Sequence, residues 1–205
     1  MNPKQLLLQS LKEKGFSKEI ISAFENVKRE NFIPADLKNR AYEDIPLPIG
    51  NGQTISQPFT IATMLSLLEL KSGLKILEIG SGCGYVLSLI ANIVVKNGKV
   101  FGIEVIKSLF EKSKENLKNC KNIKIKLGNG RFDWKENSSW DRIIISAAAY
   151  GEIPKPLVSQ LKEKGILVAP LGSRYGQSLM VFKKINGKLN LKKEIPGFIF
   201  VPLVD

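Results

Sequence analysis

The sequence predicts an α/β protein: a doubly wound, mostly parallel sheet, with helices at the N-terminal end and an antiparallel edge at the C-terminal end. Three observations predict it. From Lys75 onward, apolar strand-sized runs alternate with helix-sized segments, as a parallel sheet covered on both faces requires. Asp141–Ser146 is a continuous β-branched run, typical of a strand buried on both faces. Gln177–Val204 reads as two further strands around the turn Asn186-Gly187, which adds the antiparallel edge.

Residues 4–14 and 18–29 read as helices. In the second, Ile20, Ile21, Phe24 and Val27 share one face, and Ser17 is placed to cap it. Residues 31–56 are rich in Pro, Gly and Asn and read as a long ordered loop, a length that in a compact domain is often functional. A helix is expected over 57–70, with Pro58 in its first turn and Ile61, Met64, Leu65 and Leu68 inward. Strands follow at Lys75–Ile79, Lys99–Glu104, Ile123–Leu127, Asp141–Ser146 and Gly165–Pro170. The helices between them are expected at Val86–Val95, 107–118 and Pro156–Lys164. The whole, 1–205, is expected to form one domain, with a helical and loop region over 1–70 and the sheet core over 75–205.

Composition narrows the chemistry. The chain has no histidine, which excludes Ser-His-Asp and Cys-His catalysis and histidine-ligated metals. Cys83 and Cys120 are too few for a disulfide framework or an unaided four-ligand zinc site, so no metal is expected. No stretch approaches the roughly 20 apolar residues that span a bilayer, and the N-terminus lacks a signal-peptide layout. The expectation is a cytoplasmic monomer without a membrane partner. The formal net charge is +12, but the lysines are dispersed. No arginine-rich tract or basic–aromatic alternation is present, so a solvated surface is preferred to a nucleic-acid footprint.

The cofactor signal lies at Leu77-Glu78-Ile79-Gly80-Ser81-Gly82-Cys83-Gly84, between a strand and a helix. Ligands of open α/β sheets bind beyond the carboxyl ends of the strands. The G-x-G-x-G spacing departs from the G-x-G-x-x-G loop shaped for a dinucleotide pyrophosphate. Glu104 ends the second strand and could accept hydrogen bonds from both hydroxyls of a ribose. Glu78 could balance the amino and sulfonium charges of S-adenosyl-L-methionine, which a nicotinamide dinucleotide lacks. Gly128-Asn129-Gly130 follows the third strand, where a side-chain amide could meet adenine. The predicted cofactor is therefore S-adenosyl-L-methionine, with Glu78, Gly80, Ser81, Gly82, Gly84, Glu104 and Asn129 around it. The bland alternatives are a merely tight turn and solvated strand-end charges. Cys83, Trp134 and Trp140 are expected to be packing residues.

Beyond these residues, the chain resembles the protein-L-isoaspartate O-methyltransferases. The resemblance rests on Ala41-Tyr42-Glu43-Asp44-Ile45-Pro46-Leu47-Pro48-Ile49-Gly50 running into Gly52-Gln53-Thr54-Ile55-Ser56-Gln57-Pro58, on the Leu77–Tyr85 turn, and on Trp140–Ala149. Leu167–Gly172 and Phe200-Val201-Pro202-Leu203 extend it over nearly the whole chain, and Gly52–Pro58 is its most specific part. The resemblance implies a Rossmann-like AdoMet methyltransferase fold. It also implies methylation of the α-carboxyl of L-isoaspartyl residues, formed by Asn deamidation or Asp isomerisation in proteins and peptides. The resulting ester closes to a succinimide that can reopen as normal aspartate. Ser56 would be the active-site hydroxyl, and Gly80, Gly82, Glu104 and Asn129 cofactor positions. Thr54, Ile55 and Gln57, around the start of the next helix, are expected substrate contacts, because a helix N-terminus binds anions. The family usually has Asp where this chain has Asn129.

The chemistry suits a chain without imidazole. A carboxylate, with a pKa near ~4, is already an anion at neutral pH and needs no general base before attacking a sulfonium methyl. Two readings of Ser56 stand side by side: carboxylate orientation, or N-cap of the following helix. Residues 41–56 read either as a substrate cover or as a rigid loop held by Pro46 and Pro48. The competing functions are an RNA methyltransferase using the same cofactor and a non-catalytic binding protein of the same fold.

Overall fold

The computed structural model describes residues 1–131, 139–149, 151–173 and 175–204. Helix α1 (Pro3–Glu13) opens with a capping box in which Asn2 and Gln5 satisfy each other's backbone N–H. Helix α2 (Lys18–Asn26) is capped by Ser17, whose Oγ accepts from the Ile20 N–H at 3.4 Å. It ends three residues before the predicted limit of 29. Val27 is extended (φ −92°, ψ 109°), and a 3-10 turn at Arg29–Asn31 follows. The cause is tertiary: this bend buries Arg29, Phe32 and Ile33 instead of continuing the helix along the surface.

The predicted loop 31–56 is a more structured segment than its composition indicates. It contains a 3-10 helix at Ala35–Arg40 and a hairpin of β1 (Leu47–Gly50) and β2 (Gln53–Ile55). Its two-residue turn is Asn51-Gly52, both at positive φ (54° and 69°), the geometry Asn-Gly favours between hairpin strands. These strands are four and three residues long, too short for the buried–exposed alternation of β1 to register as a period. Helix α3 (Pro58–Leu67) follows, shorter than the predicted 57–70, with Ile61, Met64, Leu65 and Leu68 all buried as expected.

The seven-stranded sheet runs in the order β5-β4-β3-β6-β7-β8-β9. Strands β3 (Lys75–Ile79), β4 (Lys99–Glu104), β5 (Ile123–Leu127), β6 (Trp140–Ile145) and β7 (Leu161–Ser173) are mutually parallel. Strands β8 (Gly176–Ile185) and β9 (Lys188–Phe198) add the antiparallel edge. Helices α4 (Tyr85–Val94), α5 (Lys107–Leu117) and α6 (Lys155–Gln160) complete the crossovers. Successive residues of β6 serve opposite faces. Ile144 joins the core shared with α1–α5, while Ile143 and Ile145 join the second core, to which α6 contributes Leu157. This is why the run reads as uniformly apolar.

The end of α6 departs most from expectation. The predicted helix Pro156–Lys164 stops at Gln160, and β7 begins at Leu161 rather than at Gly165. Lys162, Glu163 and Lys164 are good helix formers, but Leu161 pairs with Trp140 and both are buried. Sheet pairing therefore overrides local propensity. Lys164 at φ 64° marks the point where the register recovers. Trp140 is fully buried against Phe101 (ring centroids 4.9 Å apart), so its expected packing role holds; Trp134 lies outside the described residues.

Candidate active site

The strand order reverses at β3: the chain passes to β4 on one side and later to β6 on the other, which opens a crevice at the C-terminal ends of these strands. The glycine turn sits there. The N–H groups of Gly80 and Ser81 both donate to the Ile103 carbonyl (2.9 and 3.1 Å), which fastens the turn to β4. Gly84 is at φ 85°, and a Cβ there would stand 2.8 Å from Leu117 Cδ1. Both the left-handed backbone and the close approach of α5 therefore call for glycine. Cys83 lies buried within the turn. Burial pushes its thiol up to about 11, which keeps it an inert packing group as expected.

Two carboxylates frame the turn. Glu104, at the end of β4, is almost fully buried. Its Oε2 accepts from the Gly82 N–H (2.7 Å) and its Oε1 from the Ile106 N–H (2.9 Å). Each oxygen keeps a lone pair for a further donor. Glu78, inside β3, is 1% exposed. Its Oε1 accepts from the Ser146 hydroxyl at 2.6 Å, whereas Oε2 is buried and meets no donor among the described residues. Burial, reinforced by Glu104 and opposed by the Ser146 hydrogen bond, pushes this carboxyl up to about 8. Ser81 Oγ is likewise buried without a partner. Of the predicted cofactor residues, Gly80, Gly82 and Glu104 line the crevice, whereas Glu78, Ser81, Gly84 and Asn129 are not among its lining residues; the unmet polar atoms of Glu78 and Ser81 lie buried at the turn.

The crevice is lined by Gly80 and Gly82, Glu104, Gly128 and Gly130, Ser146 and Ala147, with Ile49, Gln53 and Thr54 from the hairpin. The chain's last residues close it: Ala148 N–H donates to the Val201 carbonyl (2.8 Å), and Leu203 N–H donates to the Ala148 carbonyl (2.9 Å). Asn129 stands between Gly128 and Gly130, and its Oδ1 accepts from the Arg131 N–H at 2.9 Å.

A second cleft adjoins the first. Ser56, Gln57, Phe59, Thr60 and Thr63 line one side, and Ile195–Val201 the other. Thr54 and Val201 line both clefts, so they share a wall. The predicted substrate contacts Thr54, Ser56 and Gln57 thus gather at one place. Ile55 is 4% exposed, its side chain committed to the core, so only its main chain faces outward. The alternative role of Ser56 as N-cap is corrected. The N-cap of α3 is Gln57, with Pro58 at N1, and the Phe59 N–H is taken by Asp44 Oδ1 at 2.8 Å. The sequence does not single out Ser146, which lines the crevice, or Asp44 and Arg29, which hold the 41–58 segment from outside the clefts, because each acts on a group distant along the chain.

The raised Glu78 carboxyl yields an expected pH dependence. Folded, it holds its proton up to about 8; unfolded, it releases it near the ordinary carboxyl value of 4.5. Between these values the native state binds more protons, so stability is full below about 4.5 and declines as pH rises towards 8. No histidine titrates in this window to obscure it. Urea-unfolding midpoints at pH 5 and pH 8 are expected to differ for the parent and to converge for Glu78→Gln; equal slopes in both proteins would remove Glu78 as the cause.

Comparison with known proteins agrees with this geometry. The model of the protein-L-isoaspartate(D-aspartate) O-methyltransferase family matches residues 1–205. The chain belongs to this family. It is 41% identical to the protein-L-isoaspartate O-methyltransferase of Methanothrix thermoacetophila over 98% of this chain and 94% of that one. It is 46% identical to the enzyme of the same name from Petrotoga mobilis, over 95% and 91%. Among solved structures, a putative protein-L-isoaspartate O-methyltransferase from Plasmodium falciparum, crystallised with S-adenosyl-L-homocysteine, superposes with a TM-score of 0.86. Identity is 31%, over 100% of this chain and 99% of that one. As a protein-L-isoaspartate O-methyltransferase family member, the chain has the Rossmann-like methyltransferase fold and S-adenosylmethionine as methyl donor. The stretches 41–58, 77–85 and 200–203 that carry the resemblance meet around the two clefts.

Proposed function

We propose that the crevice at the glycine turn holds S-adenosylmethionine and that the adjoining cleft presents the α-carboxylate of an L-isoaspartyl residue to it, with Ser56 orienting that carboxylate. The observation that carries this reading is the wall shared at Thr54 and Val201, which sets the two clefts side by side, as a methyl donor and its acceptor would require. The residues suit the cofactor. Glu104, already held by two N–H groups, has lone pairs left for two ribose hydroxyls. The open Glu78 Oε2 and the Ser146 hydroxyl suit a cationic amino-acid end. The cofactor supplies an electrophilic methyl on a sulfonium.

For the acceptor, the protein's task is positioning and exclusion of water, since the nucleophile arrives ionised. Ser56 donates to the carboxylate, and the main chain of Ile55–Gln57 adds N–H groups near the start of α3. The apolar side of the cleft, Phe59 and Phe198–Val201, lowers the local dielectric around the ion pair. In this reading residues 1–205 act as one unit, monomeric and cytoplasmic; none of the helices among the described residues is long and apolar enough to cross a membrane.

The test is transfer of labelled methyl to an isoaspartyl peptide, to its aspartyl counterpart and to total RNA. Base-labile label on the first alone is expected. Label on RNA alone would overturn the reading, and label on none would indicate a binding protein. Asn129→Asp provides a finer test. Restoring a carboxylate beside the Arg131 N–H is expected to tighten cofactor binding by roughly 3- to 10-fold, the scale of a charge-assisted hydrogen bond over a neutral one. An unchanged dissociation constant in titration calorimetry would show that the side chain takes no part.

A further inference from the structure

Arg29 is the largest charged group the described fold buries: it is 0% exposed, in a 3-10 turn remote in sequence from every motif above. Its guanidinium donates to four backbone carbonyls, Nη1 to Ala41 and Glu43 (both 3.2 Å) and Nη2 to Ile45 and Ser56 (both 3.1 Å). Three of these acceptors begin the segment 41–56 and the fourth ends it, so one side chain closes the loop that carries the hairpin. Burial disfavours the charged form and holds the guanidinium below its usual range. An isolated buried cation is costly, and none of the ion pairs seen among the described residues involves Arg29; carbonyl dipoles compensate it instead. The fixed fork of a guanidinium can serve four acceptors at once, which an ammonium of the same charge cannot.

We propose that Arg29 is a positioning residue for methyl transfer: by gripping the Ser56 carbonyl together with Ala41, Glu43 and Ile45, it sets the Ser56 hydroxyl against the acceptor cleft. This rests on the role assigned to Ser56 above. Arg29 itself does not line either cleft. Its removal therefore acts through Ser56 and leaves the cofactor crevice, built on β3 and β4, intact.

The experiment compares the parent, Arg29→Lys, Ser56→Ala and the double variant. Expected for Arg29→Lys are a folded protein and an S-adenosylhomocysteine dissociation constant within about 2-fold of the parent. Its kcat on an isoaspartyl peptide should be at least about 10-fold lower and fall no further than that of Ser56→Ala, and limited proteolysis within 41–56 should be faster. In the double variant, kcat is expected to match that of Ser56→Ala, because coupled residues are not additive. A kcat within 3-fold of the parent, or independent losses that multiply in the double variant, would overturn the proposal. If the parent does not methylate the isoaspartyl peptide, the functional reading fails instead, and the proteolysis comparison still decides whether Arg29 holds the loop. If Arg29→Lys does not fold, amide exchange of the parent decides. Protection over 41–56 near the level of global unfolding supports the grip, and opening far below that level refutes it.

Discussion

Glu104→Ala is expected to raise the dissociation constant for S-adenosylmethionine by roughly 100- to 10,000-fold. The carboxylate is buried at the end of β4 and already oriented by the Gly82 and Ile106 N–H groups. Two ribose hydroxyls bound to such a charged acceptor are worth about 1.5–3 kcal/mol each. The same substitution leaves two N–H groups without their acceptor, and a further loss of about 1–3 kcal/mol in folding stability is expected. Titration calorimetry with a thermal-unfolding control separates the two effects. Glu104→Gln, which keeps the side chain's shape and one acceptor oxygen, is expected to fall between. Cofactor binding by a folded Glu104→Ala protein at parental affinity would remove Glu104 from the cofactor site.

Ser56→Ala carries the second large effect, on rate instead of affinity. With Ser56 orienting the carboxylate as proposed, loss of its hydroxyl is expected to lower kcat/KM for an isoaspartyl peptide by roughly 10- to 1,000-fold, the scale of one positioned hydrogen bond in an active site. Cofactor affinity is expected to stay within about 2-fold. The fold separates this from a capping effect. Asp44, not Ser56, accepts the Phe59 N–H at the start of α3, so Ser56→Ala should leave the melting temperature unchanged. Asp44→Ala should cost about 1 kcal/mol, the usual value of a lost helix cap. Normal turnover by Ser56→Ala on an isoaspartyl peptide would exclude the hydroxyl from catalysis.

Glu78 lines neither cleft and reaches the cofactor crevice only through Ser146. Its carboxylate accepts from Ser146, which lines the crevice, and its other oxygen meets no donor among the described residues. A cationic ligand end facing that oxygen would offset the desolvation that pushes the carboxyl up. Under the proposed function, the pH slope of stability and the affinity for a cationic cofactor are expected to be two readouts of this one buried group.

Much of this was legible from local pattern. The strand-helix alternation from Lys75, the β-branched run before Ser146, the glycine turn and the Asn186-Gly187 hairpin are short-range signals, each complete within a few residues. The absence of histidine excluded whole classes of catalysis and agrees with a nucleophile that arrives ionised. The Gly52–Pro58 stretch was expected to contact substrate, and the fold brings Thr54 and Ser56 of it to the clefts. The β1–β2 hairpin was legible only in its turn, Asn51-Gly52, because strands of three and four residues carry too little alternation to register.

Only tertiary structure decided the rest. Leu161 leaves a helix-favouring stretch because Trp140 offers it a buried partner across the sheet. Asp44 caps a helix 15 residues away, Ser146 meets Glu78 at a separation of 68, and Arg29 collects carbonyls 12 to 27 residues downstream. Periodicity, propensity and motif spacing report how a residue relates to its immediate neighbours. A guanidinium compensated by four carbonyls, or a carboxyl whose proton affinity is set by a hydroxyl on another strand, exists only once the chain has closed around it.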